Sequence, residues 1–491
     1  MASLKCFKSI AVTNLKIQKK RITADYILEL ENGDEVHHKL IHTYEEDIIT
    51  DKTREFASLT VSTPLVNYGL FADRIVFDVP LTRQGKEFLE DTTRITAYDI
   101  FVNRIVRNTG FLRDEYIPDP EMVKPEDAEP RVQLVFTRTA NPGSTEHGLD
   151  EKKCAVMSSG GKESLLSYGI LREVGCEVYP CFFNESGHHW FTALTAYRYF
   201  KEHEPRTLRV WSNVDRLYTF IGEHMKILKR NAYKKDKAEI YPIRLFFFEH
   251  YVFSFLPLLY KRNIANVILG NEYDDPSRTS YLFKGIKHYN AVYDQSQEFD
   301  KYMTNWFKRS GLGFKQWSAV RPLSGLIVER ILADRYPELF KLQRSCHSVH
   351  LENGKVLPCG TCSKCNGIIL FLLANGIDPR IIGYKTQHIE TVFDRINRGS
   401  IRLDPDELEH SLYLLTLRSG KQIEGSQKHE HVEMIQFDEL NSHPDNIPAA
   451  VREKIYQIYE AYTKGYAFLT PKGWVTISRE EALRGALNNE K

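Results

Sequence analysis

The residues best suited to chemistry lie in two short stretches. In the first, KCAVMSSGGKESLLSYGILREVG (153–175), Ser159-Gly160-Gly161-Lys162-Glu163-Ser164 stands between an apolar strand-like run and an apolar helix-like run. Glycines let a backbone approach a ligand with no Cβ in the way. Backbone N–H groups at a helix start point at an anion, and the helix dipole adds to their pull. Ser159 and Ser164 bring hydroxyl donors and Lys162 a positive charge. The stretch is a candidate phosphate cradle. It does not follow the Walker pattern G-x-x-x-x-G-K-[ST], because Glu163 comes after Lys162 and Val156 stands five before Gly161. The dinucleotide pattern G-x-G-x-x-G fails as well.

The second stretch, SCHSVHLENGKVLPCGTCSKCNG, spaces Cys346, Cys359, Cys362 and Cys365 as C-x12-C-x2-C-x2-C. Four thiolates at this spacing suit a tetrahedral structural Zn²⁺, and Gly360 allows the tight knuckle. The same ligands can also hold an iron–sulfur cluster. A closed four-thiolate site has no open position for water, so its expected role is structural. Cys6, Cys154, Cys176 and Cys181 are scattered in apolar settings and read as small buried hydrophobes.

The elements that must position these groups show in the apolar pattern. From residue 153, strand-like and helix-like runs alternate, as in parallel βαβ units. Such sheets bind ligands at the carboxyl ends of their strands. The Gly160-Gly161 turn, Asn184-Glu185, Asn213 and Asn271-Glu272 all fall at such ends. Residues 7–45 alternate apolar and polar around the turn ENGDEV, which predicts a hairpin or meander. Residues 85–111 have helical spacing. The expected division is an N-terminal α+β domain at 1–115, a proline- and acid-rich linker at 116–152, an α/β domain at 153–375 carrying the cysteine knuckle (346–365), and a mainly helical region at 376–491.

A chain of 491 residues predicts more than one core. Its formal net charge of +1 excludes a global field toward nucleic acid or membrane, although a local basic groove stays open. No apolar run is long enough to span a bilayer, and the first residues lack a signal-peptide pattern. The expectation is a cytoplasmic protein without membrane attachment.

Other residues carry weaker signals. Asn271 and Glu272 could position Mg²⁺ or substrate, or cap a loop, and Arg321 could clamp a carboxylate or form an ion pair. His188 and His189 could touch a bound nucleotide or be solvated loop histidines, and His429-Glu430-His431 reads as a polar loop with no further ligand at metal spacing. The aromatic stretch 246–260 reads as core. Lys226, Lys229, Arg230, Lys234 and Lys235 read as a solvated helix face, or as the lining of a path for a phosphorylated or nucleic-acid substrate.

The Ser159–Ser164 stretch resembles the PP-loop, S-G-G-x-D-S, of the N-type ATP pyrophosphatases, with Glu163 in place of the usual Asp. That resemblance implies a five-stranded parallel sheet with helices on both faces, and cleavage of ATP between its α and β phosphates. It implies ATP and pyrophosphate binding by Ser159, Gly160, Gly161, Lys162, Ser164, Asn271 and Glu272, with Mg²⁺ as catalytic metal. Lys162, Glu163 and Arg321 are the expected catalytic residues. With the cysteine cluster, the chain looks like the QueC-type 7-cyano-7-deazaguanine synthases. VYDQSQEFDKYM, RPLSGLIVERILADRYPELF and the cysteines are similar to the MurL-type ATP-dependent epimerase of UDP-MurNAc-L-alanyl-glutamate. The resemblance covers 153–375, and both relatives activate a carboxylate as an acyl adenylate. The expected partner is a small-molecule carboxylate. A protein partner, a homodimer, a tRNA- or protein-modifying enzyme and a non-catalytic nucleotide-binding scaffold stay open.

Overall fold

The structure is a computed structural model that describes residues 3–107, 109–141, 148–187, 189–230, 243–273, 282–289 and 293–488. Its first three strands, β1 (Phe7–Gln18), β2 (Arg21–Leu30) and β3 (Glu35–Tyr44), form an antiparallel meander. The turn between β2 and β3 places Gly33 at φ +91°, a conformation glycine adopts without strain. Helix α1 (Thr53–Ser62) leads to β4 (Ala72–Leu81), which pairs parallel with β1. Helix α2 (Arg83–Ile100), capped by the Thr82 hydroxyl, leads to β5 (Gln133–Thr139), parallel to β4 at the sheet edge. β5 lies inside the segment expected to be a linker.

The alternating half follows in chain order: β6 (Asp150–Met157), α3 (Lys162–Glu173), β7 (Glu177–Asn184), α4 (Trp190–His203), β8 (Leu208–Ser212), α5 (Val214–Glu223), α6 (Phe248–Lys261) and β9 (Ile264–Ile268). The hairpin β10 (Leu282–Phe283) and β11 (Ile286–Lys287) precedes α7 (Gln297–Arg309) and β12 (Lys315–Trp317). β12, β9, β6, β7 and β8 are neighbours in that order, and every pair among them is parallel. These parallel strands belong to a larger sheet and do not form the separate five-stranded sheet that the resemblance implies. β3 pairs antiparallel with β8, so all the strands from β5 to β12 in spatial order join in one ten-stranded sheet. The Asn213 side chain fastens this seam, accepting from Ile41 N at 2.8 Å and donating to Lys39 O at 2.8 Å.

Alternate residues of each strand feed opposite cores. On β6, Ala155 enters one core while Cys154 and Val156 enter the other. The first core joins the N-terminal strands with α1, α2, α6 and α7. The second holds α3, α4, helices α8 (Gly325–Arg335) and α9 (Pro337–Phe340), and α10 (Ser363–Asn375). The hairpin β13 (His350–Glu352) and β14 (Lys355–Leu357) lies within the cysteine segment. Helices α11 (Thr386–Glu390), α12 (Val392–Asn397), α13 (Pro405–Ser419) and α14 (Ala449–Glu460) follow. The C-terminal region is less helical than expected: β15 (Ile435–Phe437), β16 (Tyr466–Thr470) and β17 (Gly473–Ile477) form a second sheet before α15 (Arg479–Asn488).

The described part of the basic run, Lys226, Lys229 and Arg230, is not a helix face. α5 ends at Glu223, Lys226 pairs with Glu31 at 2.6 Å and Lys229 with Asp114 at 3.2 Å. Lys234, Lys235 and His188 lie outside the described residues. Most of the aromatic stretch is core, as expected, but Phe247, Phe248 and Tyr251 are half-buried and line a cavity. Among the described residues no helix is long and apolar enough to cross a membrane.

Candidate functional site

The strand order reverses at β6: later strands add on one side through β7 and β8, and on the other through β9 and β12. This switch point is where an open parallel sheet leaves a crevice at its carboxyl edge. A cavity of about 360 Å³ opens there. Its floor comes from the ends of β6, β7 and β9, including Ser158, Ser159, Gly161, Phe183, Glu185, Gly270 and Asn271. The starts of α4 and α6 add His189, Trp190, Phe247 and Tyr251, and the cysteine segment adds Arg344, Ser345, Cys346, His347 and Lys364.

The glycine loop is shaped by close approaches. Gly160 has φ +75°, and a Cβ there would lie 2.9 Å from the Thr192 carbonyl of α4. Gly161 is the N-cap of α3, so the free N–H groups of that helix start at the cavity wall. Ser158 and Ser164 hydroxyls meet at 3.2 Å. Gly270 packs on the same turn, where a Cβ would lie 2.9 Å from the Glu163 Cβ. Asn271 is buried and lines the cavity, and no group among the described residues hydrogen-bonds its Nδ2. A buried unpaired amide costs free energy that a ligand would recover.

Lys162 does not face the cavity. It is 3 % exposed, and its Nζ lies 2.6 Å from Glu163 Oε1 and 2.8 Å from both Glu272 carboxylate oxygens. Burial alone would lower its pKa, but Glu163, Glu272 and Glu329 outweigh burial and raise it well above the usual lysine value. Burial pushes Glu163 up, yet Lys162 and Lys364 more than offset this, so its carboxyl is held below the ordinary range. Glu163 lines the cavity, whereas Lys162 is an internal counter-ion. The cations on the cavity wall are instead Arg244, Arg344 and Lys364.

Arg321 also lies off the cavity wall. It is buried, with Nη2 2.9 Å from Asp300 Oδ2 and 2.9 Å from the Gln295 carbonyl, an ion pair in the interior rather than at the surface. Asn213 serves the sheet seam, and Glu185 contacts Tyr251 OH at 2.5 Å and Arg244 Nη1 at 3.7 Å. Arg244 is 4 % exposed and sits against the Tyr218 and Phe247 rings at 4.9 and 4.7 Å. Burial opposes its charge, but Tyr251, Glu185 and Asp215 hold it protonated. Neither Arg244 nor Arg344 stands out in the sequence.

The four cluster cysteines place their sulfurs within 4.8 Å of one another, with 4.0 Å for Cys346–Cys362 and 3.8 Å for Cys359–Cys365. Zn–S bonds of about 2.3 Å in a tetrahedron put sulfurs about 3.8 Å apart, so the four fit a zinc ion. Backbone N–H groups of Ser348 and Cys359 donate to Cys346 Sγ at 3.2 and 3.3 Å, a second layer that suits thiolates. Gly360, at φ +72°, lies so near His388 that a Cβ would sit 2.1 Å from its Nδ1. Arg344 N donates to the Gly160 carbonyl at 3.0 Å. The knuckle is thereby tied to the glycine loop. Of the other cysteines, Cys6, Cys154 and Cys181 are buried and Cys176 is half-buried.

Compared with protein-family models and with curated proteins, the chain finds no match.

Proposed function

We propose that the chain cleaves ATP between its α and β phosphates and uses the AMP portion to activate a substrate carboxylate. The observation that carries this reading is the glycine turn at the end of β6, whose helix start opens on a cavity at the sheet's switch point. A carboxylate is a poor electrophile. Attack by its oxygen on the α phosphorus forms an acyl phosphate bond, breaks the α–β bridge bond and releases pyrophosphate. The barrier falls if the departing charge meets fixed donors. The α3 N–H groups, the Ser159 and Ser164 hydroxyls and the Lys364 ammonium are the candidates to meet it. Asn271 Nδ2 is a further donor.

Mg²⁺ would neutralise phosphate charge. Of the residues expected to hold it, Glu163 puts a carboxylate on the cavity wall and Asn271 an amide. Lys162 then has a positioning role, holding Glu163 in place through the 2.6 Å contact. The substrate carboxylate would lie toward Arg244. QueC-type and MurL-type chemistry both begin with this adenylation. Zinc at the knuckle would fix the segment that carries Arg344 and Lys364.

The test is exchange of radiolabelled pyrophosphate into ATP, with fractionated small-molecule extract as the source of carboxylate. Exchange that needs a fraction and is lost in Ser159→Ala and Lys364→Ala supports the reading. Exchange absent with every fraction, in protein that binds ATP, contradicts it and favours the scaffold reading.

A further inference from the structure

The His429-Glu430-His431 segment has a partner that spacing alone did not suggest. Asp406, in the first turn of α13, reaches both histidines: its Oδ2 lies 3.1 Å from His431 Nε2 and its Oδ1 3.7 Å from His429 Nδ1. The three donor atoms all lie within 4.8 Å of one another. We infer that Asp406, His429 and His431 form a second metal site, taking a divalent transition ion of the zinc class.

The surroundings are those of a prepared site. Metal-bound imidazoles are usually oriented by a carboxylate on the other ring nitrogen. Glu409, one turn along α13, lies 2.7 Å from His429 Nε2. Nδ1 of the same ring faces Asp406 Oδ1 at 3.7 Å, longer than a hydrogen bond and wide enough for an ion to bridge the two. Bonds of about 2.0–2.2 Å to nitrogen and oxygen place such ligands about 3–3.5 Å apart, close to the separations seen. The His431 ring stacks on Trp474 of β17 at 4.4 Å, with an 11° angle between planes. The His429 backbone N–H donates to His410 Nδ1 at 3.0 Å.

Two imidazoles and one carboxylate match the donors zinc accepts, and three protein ligands leave a position for water. The Asp406 side chain is 34 % exposed, which leaves a route for the ion, while His429 and His431 are mostly buried. These residues do not line the cavity, so the inference is independent of the proposed reaction. The ion would clamp α13 to the 430–433 turn beside the C-terminal sheet.

The experiment is zinc titration of the full chain, stripped by chelator, against a chromophoric competitor. Wild type should take up two equivalents, one at the cysteines and one here. His429→Ala, His431→Ala and Asp406→Asn should each take up one. Cobalt loading identifies which site remains, because the thiolate-to-cobalt band of the cysteine cluster should persist in all three. Asp406→Asn keeps the shape of the side chain and serves if a histidine variant fails to fold. A Cys362→Ser chain that still takes up one equivalent would support the second site directly. A single equivalent in wild type accompanied by the thiolate band, or undiminished uptake in Asp406→Asn and both histidine variants, would overturn it and leave a hydrogen-bonded cluster only.

Discussion

Gly160 is the residue whose replacement separates shape from charge. An Ala there is held at φ +75° with its Cβ 2.9 Å from the Thr192 carbonyl. The left-handed backbone alone costs about 1–2 kcal/mol. In the free protein the loop sheds that cost by leaving this shape, and a ligand that needs the shape must repay it, so Gly160→Ala should weaken ATP binding by about tenfold, measured by calorimetry. Gly175 has φ +94° but nothing within 4 Å, so Gly175→Ala should lose stability without losing affinity. Lys162→Met makes a different prediction. It leaves Glu163 and Glu272 without their shared buried cation, so it should destabilise the fold by about 3–5 kcal/mol in denaturant unfolding. Adding Glu272→Gln should recover part of that loss.

Glu329 gives a pH prediction with a definite sign. Burial raises its carboxyl to about 8, with Lys162 and the Gln343 amide, 2.5 Å from Oε1, offsetting part of the effect. Its folded pKa lies above its unfolded value of 4.5, so the native state holds the proton more tightly. That stabilising contribution is complete below the unfolded value and is lost as pH rises through about 8. Asp99 and Asp294, each raised to about 7 chiefly by burial, push the same way. Unfolding free energy should fall between pH 5 and 9, and Glu329→Gln should flatten part of that slope.

At the scale of elements, the knuckle and the glycine loop form one unit. Arg344 N holds the Gly160 carbonyl two residues before Cys346, and Lys364 stands between two cysteines. Stripping a zinc ion bound at these cysteines would loosen this segment and, with it, one wall of the cavity. Chelation, or Cys362→Ser, should lower the melting temperature by several degrees and weaken nucleotide binding together, followed by thermal shift with and without ATP. An unchanged affinity in the stripped protein would mean that the two are not coupled.

The same scale shows what the sequence could reveal. The glycine turn and the cysteines were legible because their geometry is local. α13 and α14 fall in the region read as mainly helical, and α13 has local signals in its caps, Asp404 before Pro405 and Gly420 after the last turn. Arg244 and Arg344 were not, since only tertiary packing brings them to the cavity. The inward turn of Lys162 depends on Glu272, which is distant in the chain and joins it only when β9 lies beside β6. Asp406 was missed beside His431 for the same reason. β12 and β15 span three residues each, too short for a period to show.

The whole molecule departs most from the sequence reading at the seam. Alternation in β3 and β8 predicts strands, but nothing in either run states that Tyr44 pairs with Val210. That pairing makes the N-terminal strands a continuation of the parallel half, and one core crosses it. A chain beginning at residue 148 would expose the β8 edge and the apolar faces of α5 and α6. It should be insoluble or molten when expressed alone, as read by circular dichroism and size exclusion, whereas a soluble cooperative fold would show that the halves are independent.

The most direct measurement is ³¹P NMR of the full chain with ATP, Mg²⁺ and small-molecule extract. The account predicts AMP and pyrophosphate, formed only with extract and abolished in Ser159→Ala. ADP and phosphate from the same protein, equally lost in that variant, would contradict it, because the bond broken would then lie between the β and γ phosphates.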